Sequence, residues 1–244
     1  MTTNASSVSD GLPDERLLAE RLWTIGRMAS CISGELRQCT SVVRNSAYFL
    51  NLHLGENIDD KTRRHLSILI RELRGVDLLI SNLSALADQR PPDRQPADVE
   101  LLVHAALSRL PIPTGIAVDI AVASGTQVFC DPEQLTCVLA NLFTNSIQAM
   151  PAGGQLRVLG RVRHPEVTIT VEDSGTGMDD ETLRRAFEPL FSRTPQRLGI
   201  GLTVVRSLVG LNGGRVELTS TPGAGTTVAL RFPSQVELLT EANQ

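Results

Sequence analysis

The chain has 244 residues, a net charge of -4 and 41% apolar side chains, of which few are aromatic. An aliphatic core is therefore affordable, and the acidic balance gives no support to nucleic-acid binding, whose surfaces show as basic excess. No run of about 18 apolar residues occurs, so no membrane span is expected and the chain reads as soluble and cytoplasmic.

Residues 1–13 are polar and read as a disordered tail. From Asp14 to about Leu54 apolar residues recur at intervals of three and four, through Leu18, Leu22, Ile25, Ile32, Leu36, Val43, Ala47 and Leu50, the pattern of a long amphipathic helix. Gly34 interrupts it at a cost of about 1 kcal/mol relative to Ala. Gly55 reads as a C-cap and Asp59 as the N-cap of a second helix from Lys61 to about Ala87. Two helices joined by a short turn form an antiparallel hairpin over 14–90, whose apolar stripe a second copy would cover in a four-helix bundle, so a homodimer is expected. The prolines of "DQRPPDRQP" mark a boundary, with 91–96 as linker. Cys31, Cys39, Cys130 and Cys137 have no C-x-x-C spacing and read as free thiols serving as small buried hydrophobes.

Residues 97–234 alternate in type. "DVELLVHAALSRL" is helical, and "IAVDIAV" and "TQVFC" are strand-like. "DPEQLTCVLANLFTNSIQAM" is a helix with Asp131 as N-cap and Pro132 in its first turn. "QLRVLGRV" and "EVTITVED" read as hairpin strands. A short helix near 179–187, a helix near 201–211 and the strands "GRVELTS" and "TTVALRF" follow, before a tail at 235–244. The fold class is α+β, a helical hairpin followed by an α/β sandwich.

Four stretches of the second half suggest chemistry. Asn141 and Asn145 lie one turn apart on one helix face, able to reach a metal ion or phosphate oxygens, or simply surface decoration. Asp173 ends a strand before Gly175 and Gly177, so it is either a carboxylate beside a loop that approaches a ligand or part of a tight turn. Gly199 and Gly201 open a helix whose N–H groups can seat phosphate oxygens. "TPGAGTTVALRFP" is a Gly-rich turn between strands.

In order and spacing these stretches resemble the Bergerat-type ATP-binding domain of sensor histidine kinases, DNA gyrase and related chaperone ATPases. "NLFTNSIQAM" is similar to the N box, "DSGTGM" to the G1 box, "FEPLF" to the F box, "GIGLTVV" to the G2 box and "GAGTT" to the G3 box. The resemblance implies ATP and Mg2+ as ligands, with Asn145 holding Mg2+ and Asp173 reading the adenine amine. It further implies that Gly199 and Gly201 line the triphosphate and that Thr227 supports the adenine end. Asn141 stands where the hydrolysing branch usually carries Glu, which favours the kinase branch. The lid between Phe191 and Gly199 is short, as in nitrogen-regulator-type sensor kinases. Thr194 and Arg197 depart from the family pattern there, and Arg193 or Arg197 would replace the missing positive charge near the phosphates.

"GRMASCISGELRQCTSVV" resembles the phosphoacceptor segment of the same kinases, with Gly34 in place of the phosphorylated histidine and Cys39 in place of a proline. A glycine has no nitrogen to phosphorylate. The resemblance therefore implies a two-component signalling protein unable to autophosphorylate at the usual position. The alternatives are a pseudokinase scaffold or a phosphatase of response regulators. The partner would be a receiver domain or another kinase. Glu35 keeps the acid of the motif, and Gln38 keeps a carboxamide able to orient water. His53 and His65 read as solvated helix residues, with His65 the better candidate for a relocated acceptor.

Overall fold

A computed structural model describes residues 36–54, 59–87, 90–193 and 198–234. Gly34, Glu35, Thr194, Arg197, Gly55 and both expected tails lie outside the described residues.

Residues 36–54 are helical (α1), and α2 runs over Asp60–Ala87. Asp59 caps α2 by accepting from Thr62 N at 2.9 Å and from the Thr62 hydroxyl at 2.7 Å, which satisfies an orphan donor of the first turn. Arg44 pairs with Asp77 at 2.7 Å and Arg37 donates to Ser84 at 3.3 Å, so the two helices run antiparallel. Ala47 and Ile80 are buried, whereas His53 and His65 are exposed.

The second region comprises β1 (Gln95–Asp98), α3 (Val99–Ser108), β2 (Ile116–Val122), β3 (Gln127–Cys130), α4 (Pro132–Ala149), β4 (Gly154–Arg163) and β5 (Glu166–Asp173). It continues with α5 (Asp180–Arg185), α6 (Gly201–Leu211), β6 (Arg215–Thr221) and β7 (Gly225–Pro233). Gln95 and Pro96, which read as linker, belong instead to β1, paired antiparallel with β3. Pro96 is tolerated because this two-stranded ribbon is all edge, where a missing N–H costs little.

The main sheet has the order β2-β4-β5-β7-β6. β2 pairs parallel with β4, and the remaining neighbours are antiparallel. Alternate residues of β5 (Val167, Ile169, Val171) and of β7 (Val228, Leu230, Phe232) are buried against Leu139 and Phe143 of α4 and Val204 and Leu208 of α6. Each such side chain contributes about 1.5–3 kcal/mol of transfer free energy. The opposite face of the sheet is polar, with Glu166, Arg215, Glu217 and Arg231 in one ion-pair network. The result is a two-layer sandwich in which α4, α6 and the end of β5 converge.

The cysteines diverge from one another. Cys130 is buried and Cys137 half-buried, and burial pushes their thiols up to about 12 and about 11, so both stay protonated and inert near neutrality. Cys39 is exposed, contrary to the expectation of a buried hydrophobe, because it lies on a face of α1 that α2 does not cover. Cys31 lies outside the described residues.

Candidate functional site

Three elements meet at the candidate site. β5 delivers Asp173 at its end, where the strand pairing Asp173↔Thr226 brings β7 alongside. Asp173 Oδ1 accepts from Gly175 N at 3.0 Å and from Thr226 N at 3.2 Å. Burial raises the pKa of this carboxyl, while the Gly175 N–H, the Ser146 hydroxyl and the Thr226 N–H oppose the shift by bonding the charged form. One oxygen is thus committed to backbone donors.

The two loop glycines have packing roles. A Cβ on Gly175 would lie 2.6 Å from the Ala149 Cβ at the end of α4. Gly177 has φ 64°, and a Cβ there would collide with the Thr221 carbonyl. The loop is clamped on both sides, since Thr176 N donates to Ala149 O at 3.0 Å and Gly223 N donates to Thr176 O at 2.8 Å. A cavity of about 460 Å3 opens beside it, lined by Thr176, Gly177, Asp179, Arg193 and Pro222. Arg193 is exposed and donates to Asp179 at 3.4 Å and to the Thr182 hydroxyl at 3.5 Å.

At the other side, α6 begins without a side-chain cap. Asp98, Asp131 and Asp179 cap α3, α4 and α5, but Ile200 precedes α6 and supplies no acceptor. No side chain among the described residues caps the first-turn N–H groups of α6, and such uncapped groups are natural donors to an anion. Gly199, with φ 65°, packs on the Phe191 backbone, and its carbonyl accepts from Leu190 N at 3.1 Å. Gly201 faces α4, where a Cβ would come 3.0 Å from Asn141 Oδ1 and 3.8 Å from Asn145 Nδ2. Asn145 is half-buried, and its side chain makes no hydrogen bond to a described residue. Asn141 is buried and bonded to Asn82 of α2.

Thr226 touches Asp173, while Thr227, the next residue of a strand, points to the other face of the sheet. The Thr226 hydroxyl lies 3.0 Å from that of Ser220, which also donates to Gly225 O at 2.8 Å. Thr226, Ser146 and Asn82 are site neighbours that motif lettering alone does not mark. The strand register identifies Thr226, and the break in the apolar stripe of α2 identifies Asn82. Gln38 is an exposed residue of α1 whose side chain makes no hydrogen bond to a described residue.

Residues 130–236 match the family model described as histidine kinase-, DNA gyrase B-, and HSP90-like ATPase. The signal transduction histidine-protein kinase AtoS of Escherichia coli (strain K12) is 25% identical over 221 residues, 88% of this chain and 36% of that protein. The sensor histidine kinase ZraS of the same strain is 28% identical over 232 residues, 92% of this chain and 49% of that protein. Along most of its length the chain is similar to sensor histidine kinases. It spans only about a third to a half of the length of these relatives. The fold is shared with the histidine kinase ThkA, solved in complex with the response regulator TrrA, at a TM-score of 0.60 and 19% identity over 92% of this chain and 66% of that one. Among the described residues no helix is long and apolar enough to cross a membrane.

Proposed function

We propose that this chain is a two-component signalling protein that binds ATP between Asp173, the N-box helix α4 and the N-terminus of α6, and that does not autophosphorylate at the usual position because residue 34 is glycine. The observation that carries the nucleotide reading is the convergence of a half-buried carboxylate with an uncapped helix terminus on one side of α4. Adenine needs an acceptor for its amine, and a triphosphate needs backbone donors. Asp173 offers its second oxygen to the amine. The first turn of α6 presents Gly201, Leu202 and Thr203 N–H groups to phosphate oxygens.

Asn145 supplies a carboxamide at this end of the site, whose oxygen is the hard donor Mg2+ takes beside phosphate oxygens and water. When bound, Mg2+ neutralises charge on the phosphate oxygens. Asn145 would hold it. Arg193, tied to Asp179 on the exposed rim, would meet a nucleotide only after leaving that partner.

The chain is proposed to work as a homodimer with a receiver domain or a partner kinase. Along α1, Leu36, Val43 and Leu50 recur every seven residues, all exposed, and Leu54 extends the stripe. Leu69 and Leu79 of α2 are exposed as well. Pairing two such hairpins would bury these stripes. Sedimentation of the full chain at micromolar concentration should give a dimer. The double substitution Val43→Asp with Leu50→Asp places two charges in the stripe and should shift the chain to monomer. A wild-type chain that sediments as monomer would rule out this assembly.

A phosphatase reading is favoured by one observation, the exposed carboxamide of Gln38 on α1, free to orient a water molecule toward a docked phosphoreceiver. The deciding experiment incubates the full chain with γ-labelled ATP and Mg2+, and separately with a phosphorylated receiver domain. The chain should take up no acid-labile label, and the receiver should lose phosphate faster in its presence. Acid-labile label on the unaltered chain would show that another histidine accepts phosphate and would overturn the lost-acceptor reading.

A further inference from the structure

Along the C-terminal half of α2, Leu78, Asn82, Ala85 and Leu86 form one stripe, spaced at four, three and one, that packs against α4 and α6. A lone carboxamide in an apolar stripe needs full hydrogen bonding, and Asn82 is only 3% exposed. Its partner is Asn141. Asn82 Nδ2 donates to Asn141 Oδ1 at 2.7 Å, and Asn141 Nδ2 donates to Asn82 Oδ1 at 2.6 Å. The second N–H of Asn141 goes to the Cys137 carbonyl at 2.9 Å. Both donors of Asn141 are therefore used inside the protein, and the residue is 2% exposed.

Asn141 also stands at the phosphate end of the site. Its Oδ1 would be 3.0 Å from a Cβ on Gly201, the first residue of the uncapped helix α6, and Asn145 lies one turn along the same face. The same carboxamide thus faces a helix terminus open to anions and is held by a residue from the helical hairpin.

We infer that Asn82 is an internal latch on the nucleotide site, holding Asn141 when α2 is docked and giving it up when the phosphates of a nucleotide engage α4 and α6. The inference rests on the reading of this site as a nucleotide site. Docking of α2 and occupancy of the site then compete, and each must weaken the other by the same factor. A carboxamide pair that only set the register of packed helices has a different signature, in which its loss loosens the packing and leaves nucleotide affinity unchanged or lower.

The test uses the full chain, wild type and Asn82→Ala, titrated with a fluorescent non-hydrolysable ATP analogue, together with amide hydrogen exchange with and without that analogue. Asn82→Ala should bind about fivefold tighter, the low end of typical coupling between sites. In the wild type, saturating analogue should raise exchange over Leu78 to Ala87 while protecting the start of α6, and Asn82→Ala should show the raised exchange without any analogue. Unchanged or weaker affinity in Asn82→Ala, or α2 exchange in the wild type that ignores a bound analogue, overturns the latch while leaving the site reading in place. Binding by neither protein removes the site reading and the latch with it. Binding by Asn82→Ala alone is the strongest result in its favour. The exchange measurement on the wild type needs no variant, so a poorly folded Asn82→Ala still leaves a decisive result.

Discussion

Asp173→Asn is expected to weaken adenine-nucleotide binding roughly tenfold to a hundredfold, while leaving the empty protein at least as stable as the wild type. The first effect follows from how the side chain is held. Oδ1 is fixed by the N–H groups of Gly175 and Thr226. In the amide these two donors select the remaining oxygen, so the NH2 group is turned to where the second carboxylate oxygen now lies. A donor then meets the adenine amine, which is itself a donor. A hydrogen bond to a charged group contributes about 1.5–3 kcal/mol, which sets the expected range.

The second effect follows from the raised pKa of Asp173, caused mainly by burial. A carboxyl that is raised in the folded state stabilises the fold below its unfolded pKa and loses that contribution as pH rises through the folded value. At neutral pH the ionised group is therefore a net cost to the empty fold, and a neutral amide of the same shape removes it. Nucleotide binding has the opposite dependence, because it needs the ionised form. Affinity of the wild type should fall on acidification, beginning at a higher pH than for an exposed aspartate, and Asp173→Asn should lack this dependence. Fluorescent-ADP titrations across pH, paired with thermal melts of the empty proteins, check both. Equal affinity for wild type and variant at neutral pH would remove Asp173 from the adenine end.

Much of this arrangement is legible in the sequence where the signal is local. Asp131 and Pro132 announce the start of α4, and the structure caps it there with Asp131 accepting from Glu133 N and Gln134 N. The alternation of "EVTITVED" gives a strand with Val167, Ile169 and Val171 on the buried face, which carries Asp173 to the same side. Thr226 is hidden by one residue. Motif lettering points to Thr227, whereas adjacency to Asp173 depends on cross-strand register, which two strands far apart in sequence do not reveal locally. The strand at Gln95 and Pro96 is hidden for a similar reason, since three prolines nearby speak for a loop and the pairing with β3 lies far along the chain. Asn82 is the clearest case. Its spacing with Leu78, Ala85 and Leu86 places it on an apolar face, but only the docking of α2 shows that Asn141 is there to meet it.

Gly34→His is expected to bring acid-labile labelling from γ-labelled ATP to a chain that otherwise takes none. Residue 34 occupies, by resemblance, the place of the phosphorylated histidine, and Glu35 follows it as the group able to draw a proton from an imidazole. Phosphoryl transfer asks little of a protein beyond positioning and charge stabilisation, so a chain that binds nucleotide as proposed, through Asp173, Asn145 and α6, would lack mainly the nucleophile. Gly34→Ala is the control. It should stabilise a regular helix by about 1 kcal/mol and take no label, because alanine brings no nitrogen. Combining Gly34→His with Asn82→Ala should label faster than Gly34→His alone, since the latch no longer withholds Asn141. If Gly34→His binds nucleotide and remains unlabelled even with the latch removed, transfer has been lost at a second place. Thr194, Arg197 and Cys39, each at a position where the family pattern differs, are then the residues to restore, and a scaffold becomes the better account of what the chain does. Acid-stable label on the unaltered chain would instead point to a Ser or Thr acceptor and remove the premise that Gly34 marks the missing step.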